Sequence, residues 1–197
     1  MKIGVLALQG AVAEHIDTLH KMNVDAFPVK LVPDLKGLDG LIIPGGESTT
    51  IGKLMQDYGL LEPLRTMARS GFPVFGTCAG MILLAKYASS LAYETLGLID
   101  MKVLRNGFGR QVDSFEADLL IPDLGEMPFK GVFIRAPVIT EVMNGARVLC
   151  THNGQVTAIR QDKALACSFH PELTDDLRFH RYFLDMIKED GTTKGNH

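Results

Sequence analysis

The chain has 197 residues but only three cysteines, no excess of positive charge and no long apolar run. Cys78, Cys150 and Cys167 cannot all pair with one another, and none lies at Cys-x-x-Cys spacing. This disfavours a disulfide scaffold and a structural zinc site, and so few cysteines favour a reducing cytoplasm. No stretch approaches the ~18 apolar residues that a membrane helix needs.

The charge balance and the apolar content exclude two classes of protein. Lys and Arg number 20 against 23 Asp and Glu, so no basic field is available for nucleic acid or anionic lipid. Hydrophobic residues make up 46% of the chain, which excludes a mostly disordered protein. The apolar run at 3–8 weakly resembles a signal peptide, but Gln9-Gly10 interrupts it and a buried first strand is expected instead. We expect one domain over residues 1–190 and a frayed tail over 191–197.

Short apolar runs alternate with segments of helical periodicity through the first half of the chain. This predicts a three-layer α/β fold, with a mostly parallel central sheet flanked by helices. Strands are expected at 3–8, 27–32, 40–43 and 73–76, and helices at 11–22, 49–58, 60–70 and 79–87. Later strands are expected at 99–104, 114–121, 132–135, 147–152, 156–160 and 164–169, with a last helix at 177–187. These later strands are expected to add antiparallel partners to the sheet.

The most informative motif is Gly76-Thr77-Cys78-Ala79-Gly80, which lies between a predicted strand and a predicted helix. It is the thiol version of the nucleophile elbow, in which a sharp strand-to-helix turn projects the nucleophile outward. The helix N-terminus favours the thiolate, and the N–H of Ala79 can donate to an oxyanion. A buried structural cysteine is the alternative, and it suits Cys150 and Cys167 better because both lie in apolar strands.

His170-Pro171-Glu172 follows a predicted strand and supplies a candidate base for the thiol. In an extended segment, residues i and i+2 face the same way, so Glu172 could orient the ring of His170 and stabilise its imidazolium. On its own this tripeptide is a weak signal, and it favours a surface turn over a catalytic pair. Its value comes from the elbow elsewhere in the chain, since strand ends of an open α/β sheet meet at one edge.

A third motif, at residues 44–50, also follows a predicted strand. Its paired glycines can turn backbone N–H groups inward to bind an anion, and Ser48 or Thr49 could cap the next helix. Arg135 ends an apolar run and Arg105 precedes Asn106-Gly107. A cation at a strand end could hold a substrate carboxylate, although a surface ion pair is the default. His15, His20, His152 and His180 are assigned to solvent or to packing.

Together these three motifs resemble those of the class I, or triad, glutamine amidotransferases. Within that class the chain is similar to the glutaminase subunits of pyridoxal 5′-phosphate synthases. The narrower resemblance rests on motifs that keep the family order: Leu8-Gln9-Gly10-Ala11-Val12 with Glu14-His15, then residues 44–50, 76–80, 108–116, 133–137 and 168–174. Two features depart from the family pattern. Gly107 stands where a serine is expected, and residues 86–96 lack the usual polar stretch.

The resemblance implies a flavodoxin-like fold and hydrolysis of L-glutamine to L-glutamate and ammonia, without a metal or organic cofactor. It implies that Cys78 is the nucleophile, His170 the base and then the acid, and Glu172 the orienting carboxylate. Gly46 and Ala79 would supply oxyanion N–H groups. The implied glutamine site is Gly46, Glu47, Ser48, Arg105, Ile134 and Arg135. The implied partner is a (β/α)₈-barrel synthase subunit that receives the ammonia, in a complex of twelve plus twelve subunits.

Three alternatives stay open at this point. A triad glutaminase could serve another synthase, although residues 108–116 and 134–137 argue against it. A cysteine peptidase or related thiol hydrolase would prefer peptides to free glutamine. A binding module with an inactive elbow would not need Cys78, His170 and Glu172 all to be present.

Overall fold

The computed structural model describes residues 1–89, 93–105, 114–143 and 145–189. Five α-helices lie in these residues: α1 Val12–Lys21, α2 Ser48–Asp57, α3 Leu61–Arg69, α4 Ala79–Leu84 and α5 Arg178–Lys188. The first six strands are β1 Lys2–Leu6, β2 Asp25–Val29, β3 Gly40–Ile43, β4 Val74–Thr77, β5 Ala85–Ala88 and β6 Ile99–Leu104. Six more follow: β7 Ser114–Leu119, β8 Phe129–Ile134, β9 Val138–Val142, β10 Arg147–His152, β11 Gln155–Gln161 and β12 Ala164–Cys167. None of the helices in these ranges has the length and apolar character to cross a membrane.

Ten strands form one sheet in the order β2-β1-β3-β4-β12-β11-β9-β6-β5, with β10 paired to β11. The strands from β2 to β12 in this order are all parallel, whereas β11 pairs antiparallel with β12, β9 and β10. β7 and β8 form a separate antiparallel pair. The carboxyl ends of β1, β3, β4 and β12 therefore meet at one edge, which is where open α/β sheets bind ligands.

Alternating side chains of the parallel strands divide the core into two layers. In β3, Leu41 and Ile43 belong to the layer that contains α2, α3 and α4, and Ile42 belongs to the layer that contains α1 and α5. All three are fully buried. A strand buried on both faces has this continuous apolar sequence, because helices cover the sheet on both sides.

The predicted fold class is confirmed, including antiparallel strands in the second half. Of these strands, β7 and β8 pair with each other and do not join the central sheet as expected. Two further elements differ from expectation. The helix expected at 79–87 is wrong at its end, since α4 stops at Leu84 and residues 85–88 form β5. Pairing of β5 with β6 overrides the helical periodicity there. The other difference is β9, which was not expected. Its Val138, Ile139 and Thr140 carry the β-branched side chains that favour a strand.

Candidate active site

Cys78 occupies the sharp turn between β4 and α4 in a strained backbone conformation. Its φ of +48° and ψ of −101° lie outside the backbone regions that residues other than glycine ordinarily adopt. The turn is held by a 2.8 Å hydrogen bond from the Cys78 N–H to the Cys167 carbonyl. A Cβ on Gly80 would lie 2.1 Å from the Ile43 oxygen, and one on Gly76 would lie 2.5 Å from the Gly80 carbonyl carbon. Both flanking glycines are therefore required by close backbone approach, as the elbow motif predicts.

The side chains of His170 and Glu172 contact each other directly. A turn of the backbone brings them together, and not the extended segment that the sequence predicted. The Nδ1 of His170 lies 2.7 Å from the Oε1 of Glu172. Pro171–Leu173 forms a short 3-10 helix, so the strand alternation expected from the sequence is the wrong reason for their proximity. The N–H of His170 donates to the Val132 carbonyl at 2.8 Å, which anchors the turn against β8. The Glu172 side chain is fully buried.

The electrostatics of the site favour a protonated His170 beside Cys78. Burial by itself lowers the pKa of His170, but its hydrogen bonds to Cys78 and Glu172 outweigh burial and raise that pKa to about 10. Burial instead raises the pKa values of the Cys150 and Cys167 thiols, which keeps them protonated. Since Nδ1 faces Glu172, the other ring nitrogen of His170 is the one available to Cys78.

The glycine loop after β3 packs directly on this pair. A Cβ on Gly45 would lie 2.3 Å from Cε1 of His170 and 3.3 Å from Cβ of Cys78. The Gly45 carbonyl accepts a 3.0 Å hydrogen bond from the N–H of Ala11 at the start of α1. In the described residues, the N–H of Gly46 donates to no protein acceptor. The N–H of Gly46 is therefore free to donate to a ligand when it faces the cavity.

Glu47 caps α2, so the expectation that Ser48 or Thr49 would do so is wrong. Its carboxylate accepts from the N–H groups of Thr49 and Thr50 at 3.0 and 2.7 Å. Burial works to raise the pKa of Glu47, but the hydrogen bonds of Thr50 and Thr49 lower it to about 2. Arg105 donates to Oε1 of Glu47 at 3.1 Å and to Oγ1 of Thr49 at 3.0 Å. Two predicted glutamine-site residues, Glu47 and Arg105, thus contact each other.

A cavity of about 670 Å³ opens beside these groups. Nine of the ten predicted site residues line it: Gly46, Glu47, Ser48, Cys78, Ala79, Arg105, Ile134, Arg135 and His170. The tenth, Glu172, is buried next to His170. The lining also includes residues that the sequence analysis did not assign: Gly10, Ala11, Glu14, Gly45, Ile82, Ser114 and Pro137. Residues 8–15 lie near the glycine loop because they follow β1, which pairs in parallel with β3. The parallel strands predicted from the sequence were the signal for this proximity.

His15 and His180 are the functional candidates that sequence reasoning missed. Both are completely buried and both belong to a polar cluster that reaches Glu172. His20 is exposed, as expected, and His152 lies beside the rings of Phe115 and Phe133. Gly107 and residues 108–113 of the motif at 108–116 lie outside the described residues, as does the tail at 191–197.

A solved structure described as a glutamine amidotransferase matches this fold. It superposes with a TM-score of 0.90 at 48% sequence identity, and the match covers 94% of this chain and 98% of that one. The class follows from the match together with the elbow: the chain is an α/β glutamine amidotransferase.

Within that class, the chain belongs to the SNO glutamine amidotransferase family, whose model matches residues 5–189. Two relatives carry the name pyridoxal 5′-phosphate synthase subunit PdxT. The one from Carboxydothermus hydrogenoformans is 54% identical over 187 residues, which are 95% of this chain and 98% of the relative. The one from Moorella thermoacetica is 56% identical over 187 residues, covering 95% and 100%. The resemblance drawn from the motifs is confirmed.

Proposed function

We propose that this chain hydrolyses L-glutamine to L-glutamate and ammonia and delivers the ammonia to a pyridoxal 5′-phosphate synthase. The observation that carries the proposal is the continuous contact from Cys78 through His170 to Glu172, beside a cavity of about 670 Å³ that the other predicted site residues line. A thiol, an imidazole and an orienting carboxylate are the groups that acyl transfer from an amide requires. Membership of the glutamine amidotransferase family supports glutamine as the substrate.

The first half of the reaction forms a thioester. The Cys78 thiolate attacks the side-chain amide carbon of glutamine, a C–S bond forms, and the carbonyl electron pair moves to oxygen. The N–H groups of Gly46 and Ala79 stabilise this oxyanion. When the intermediate collapses, the C–N bond breaks, and the His170 imidazolium protonates the leaving nitrogen to give ammonia.

The second half regenerates the thiolate. His170, now neutral, removes a proton from water as the water attacks the γ-glutamyl thioester. A second oxyanion forms at the same site, the C–S bond breaks, and glutamate leaves. Glu172 keeps Nδ1 of His170 protonated and stabilises the imidazolium each time it forms.

Glutamine would be held by the remaining residues of the predicted site. Arg135 is exposed, lines the cavity and has a φ of +44°, a strained conformation at the end of β8. We assign the substrate α-carboxylate to Arg135 and Arg105, whose guanidinium groups suit a carboxylate. Glu47, Ser48 and the backbone of Ile134 would contact the rest of the amino acid.

The partner in this proposal is a (β/α)₈-barrel synthase subunit in a cytoplasmic complex of twelve plus twelve subunits. One domain spanning residues 1–190 would dock on it with the open cavity facing the barrel. Ultracentrifugation of the mixed subunits would measure the stoichiometry directly.

The decisive experiment mixes the purified chain with a synthase subunit of the family, a pentose phosphate and a triose phosphate. Pyridoxal 5′-phosphate should then form only when glutamine is added. Cys78→Ala should abolish this formation, and ammonium chloride should restore it with the same mixture, because the synthase subunit is unchanged. A chain that cleaves peptides but not glutamine, or a Cys78→Ala mixture that still uses glutamine, would refute the proposal.

A further inference from the structure

A fully buried polar cluster lies behind Glu172, on the side away from the cavity. The Nε2 of His15 on α1 lies 3.5 Å from Oε2 of Glu172 and 3.2 Å from Oγ1 of Thr77. The Nδ1 of His15 lies 2.9 Å from Nε2 of His180 on α5. Phe75 packs edge-on against both imidazole rings, at centroid distances of 6.4 and 5.9 Å. Helix α1 thus brings His15 to the carboxylate that orients the base, and α5 brings His180 to His15.

Two buried atoms of this cluster make no hydrogen bond of acceptable length and angle to any described residue. They are Oε2 of Glu172 and Nδ1 of His180. One choice of tautomer accounts for both. If His180 carries its proton on Nε2, it donates to Nδ1 of His15, and its own Nδ1 is left as a bare lone pair. His15 then carries its proton on Nε2, where it points toward Glu172 and Thr77. The opposite choice buries an unpaired N–H on His180 and turns a lone pair of His15 toward a carboxylate, which is repulsive.

Burial and two neighbouring histidines act against a positive charge on His15, although the carboxylate of Glu172 lies close to it. Burial, His180 and His170 together hold the pKa of His15 well below its usual value. Burial likewise lowers the pKa of His180 to about 3. His15 is thus a neutral donor, and the negative charge beside it belongs to Glu172. Cys167 on β12 also senses that charge from the side of the sheet.

The geometry points to His15 as a positioning residue for the proposed glutaminase reaction, with His180 fixing its tautomer. In this arrangement, which rests on the proposed function, His15 donates from Nε2 to Oε2 of Glu172, and Oε1 stays directed at His170. Both carboxylate oxygens then have a donor, so the buried carboxylate cannot turn away from the base. The 3.5 Å separation belongs to the resting chain, and contacts of this kind shorten when substrate is bound.

The first test compares His15→Leu with His15→Gln in the full chain bound to its synthase subunit. Gln places an amide N–H close to the position of Nε2, whereas Leu has no donor. We expect His15→Leu to lower kcat by roughly tenfold with little change in KM, a smaller loss than the ~10²-fold or more expected for Glu172→Gln. His15→Gln should recover most of the loss. His20→Leu, on the exposed side of the same helix, is the matched control and should behave as wild type.

The pH profile separates positioning from a merely structural role. Because Glu172 helps to raise the pKa of His170, a displaced carboxylate should move the alkaline limb of kcat/KM to lower pH, by roughly half a unit or more. His15→Gln should keep the wild-type limb. A folded His15→Leu with wild-type kcat and an unmoved limb would overturn the assignment, and so would equal impairment in the Leu and Gln variants.

A second measurement does not depend on any variant being folded or active. ¹⁵N chemical shifts of the histidine rings in the resting wild-type chain report which ring nitrogen carries the proton. We expect a neutral His15 protonated on Nε2. A proton on Nδ1, or an imidazolium near neutral pH, would refute the inference. A wild-type complex that released no glutamate would instead refute the proposed function, and the tautomer would still be decided.

Discussion

At Cys78 the chain maintains an unfavourable backbone conformation through its neighbours. A φ of +48° in a residue other than glycine costs on the order of 1–3 kcal/mol. Such a backbone conformation persists only where the surrounding structure leaves no alternative. Here the Cys167 carbonyl holds the N–H, and Gly76 and Gly80 allow the backbone to approach closely on both sides. The strain directs the sulfur toward His170 at the base of the cavity. The strained backbone conformation of Cys78 is thus stabilised by the strands around it.

The three cysteines should differ in their reaction with an electrophile that mimics glutamine. We expect a chloroketone analogue of glutamine to label Cys78 and to spare Cys150 and Cys167, because burial raises the pKa values of the latter two thiols. Peptide mass mapping would identify the labelled site, with Cys150→Ala as the control that keeps full labelling. Labelling at Cys150 or Cys167, with activity retained in Cys78→Ala, would contradict the nucleophile assignment.

Gly45→Ala should inactivate the enzyme without unfolding it. The new methyl group would lie 2.3 Å from Cε1 of His170, so the ring has to move out of line with Cys78. We expect kcat to fall by ~10²-fold or more, since displaced acid–base groups lose most of their contribution. Gly59→Ala is the matched control, because a Cβ there meets nothing within 4 Å although its φ is +67°. Steady-state glutamate release measures both, and near-normal turnover in Gly45→Ala would show that the loop does not pack on His170 as described.

At the scale of the elements, the candidate site is assembled from loops that follow parallel strands. The segment after β1 supplies Ala11, the loop after β3 supplies Gly45 and Gly46, and the elbow follows β4. Each strand end contributes one part of the site because parallel pairing brings these ends to one edge. Helix α2 begins directly after the glycine loop. Its cap residue Glu47 therefore both stabilises the helix and lines the cavity.

The cap residue Glu47 should make the stability of the chain depend on acid. Its pKa of about 2 lies below the ordinary value of 4.5, so the stabilisation is complete above pH 4.5 and is lost as the pH falls toward 2. Because nearly half of the side chain is exposed, we expect Glu47→Gln to lower the free energy of unfolding by only ~1 kcal/mol at pH 7. Chemical denaturation at pH 7 and near pH 2 measures it. A deficit that persists unchanged at the lower pH would contradict the charge-based account of the cap.

Local patterns predicted the elbow and the parallel strands, because glycine spacing and apolar runs are properties of neighbouring residues. They did not predict that Glu47 would cap α2, since glutamate is not among the residues that usually cap helices. They also missed the contact between His15 and His180, which are 165 residues apart and meet only when α1 and α5 pack on the same face. The catalytic roles of the site residues stay predictions, as does the extent of the domain over residues 1–190.

At the scale of the whole molecule, the candidate site has an exposed rim and a buried base. Gly46, Glu47, Ile134 and Arg135 are exposed around the cavity, whereas Cys78 and His170 are buried at its base. The glycine loop is held from the other side by two hydrogen bonds, from the N–H of Ala11 and to the side chain of Gln9. A partner that binds the exposed rim therefore contacts the loop that carries an oxyanion donor.

Glutaminase activity should rise when the synthase subunit binds. Reorienting the peptide between Gly45 and Gly46 breaks the 3.0 Å bond to Ala11, at a cost of ~1 kcal/mol that partner binding can offset. A misdirected oxyanion donor costs roughly 3–4 kcal/mol of transition-state stabilisation, so we expect an increase on the order of 10²–10³ in kcat. Such control is chemically useful because ammonia is released only beside its acceptor. Glutamate release would be measured with and without saturating synthase, and ammonium-dependent synthesis by the same mixture would verify that the synthase is active. An isolated chain that is already as fast as the complex would show that the loop needs no partner, and it would leave the roles of Cys78 and His170 unaffected.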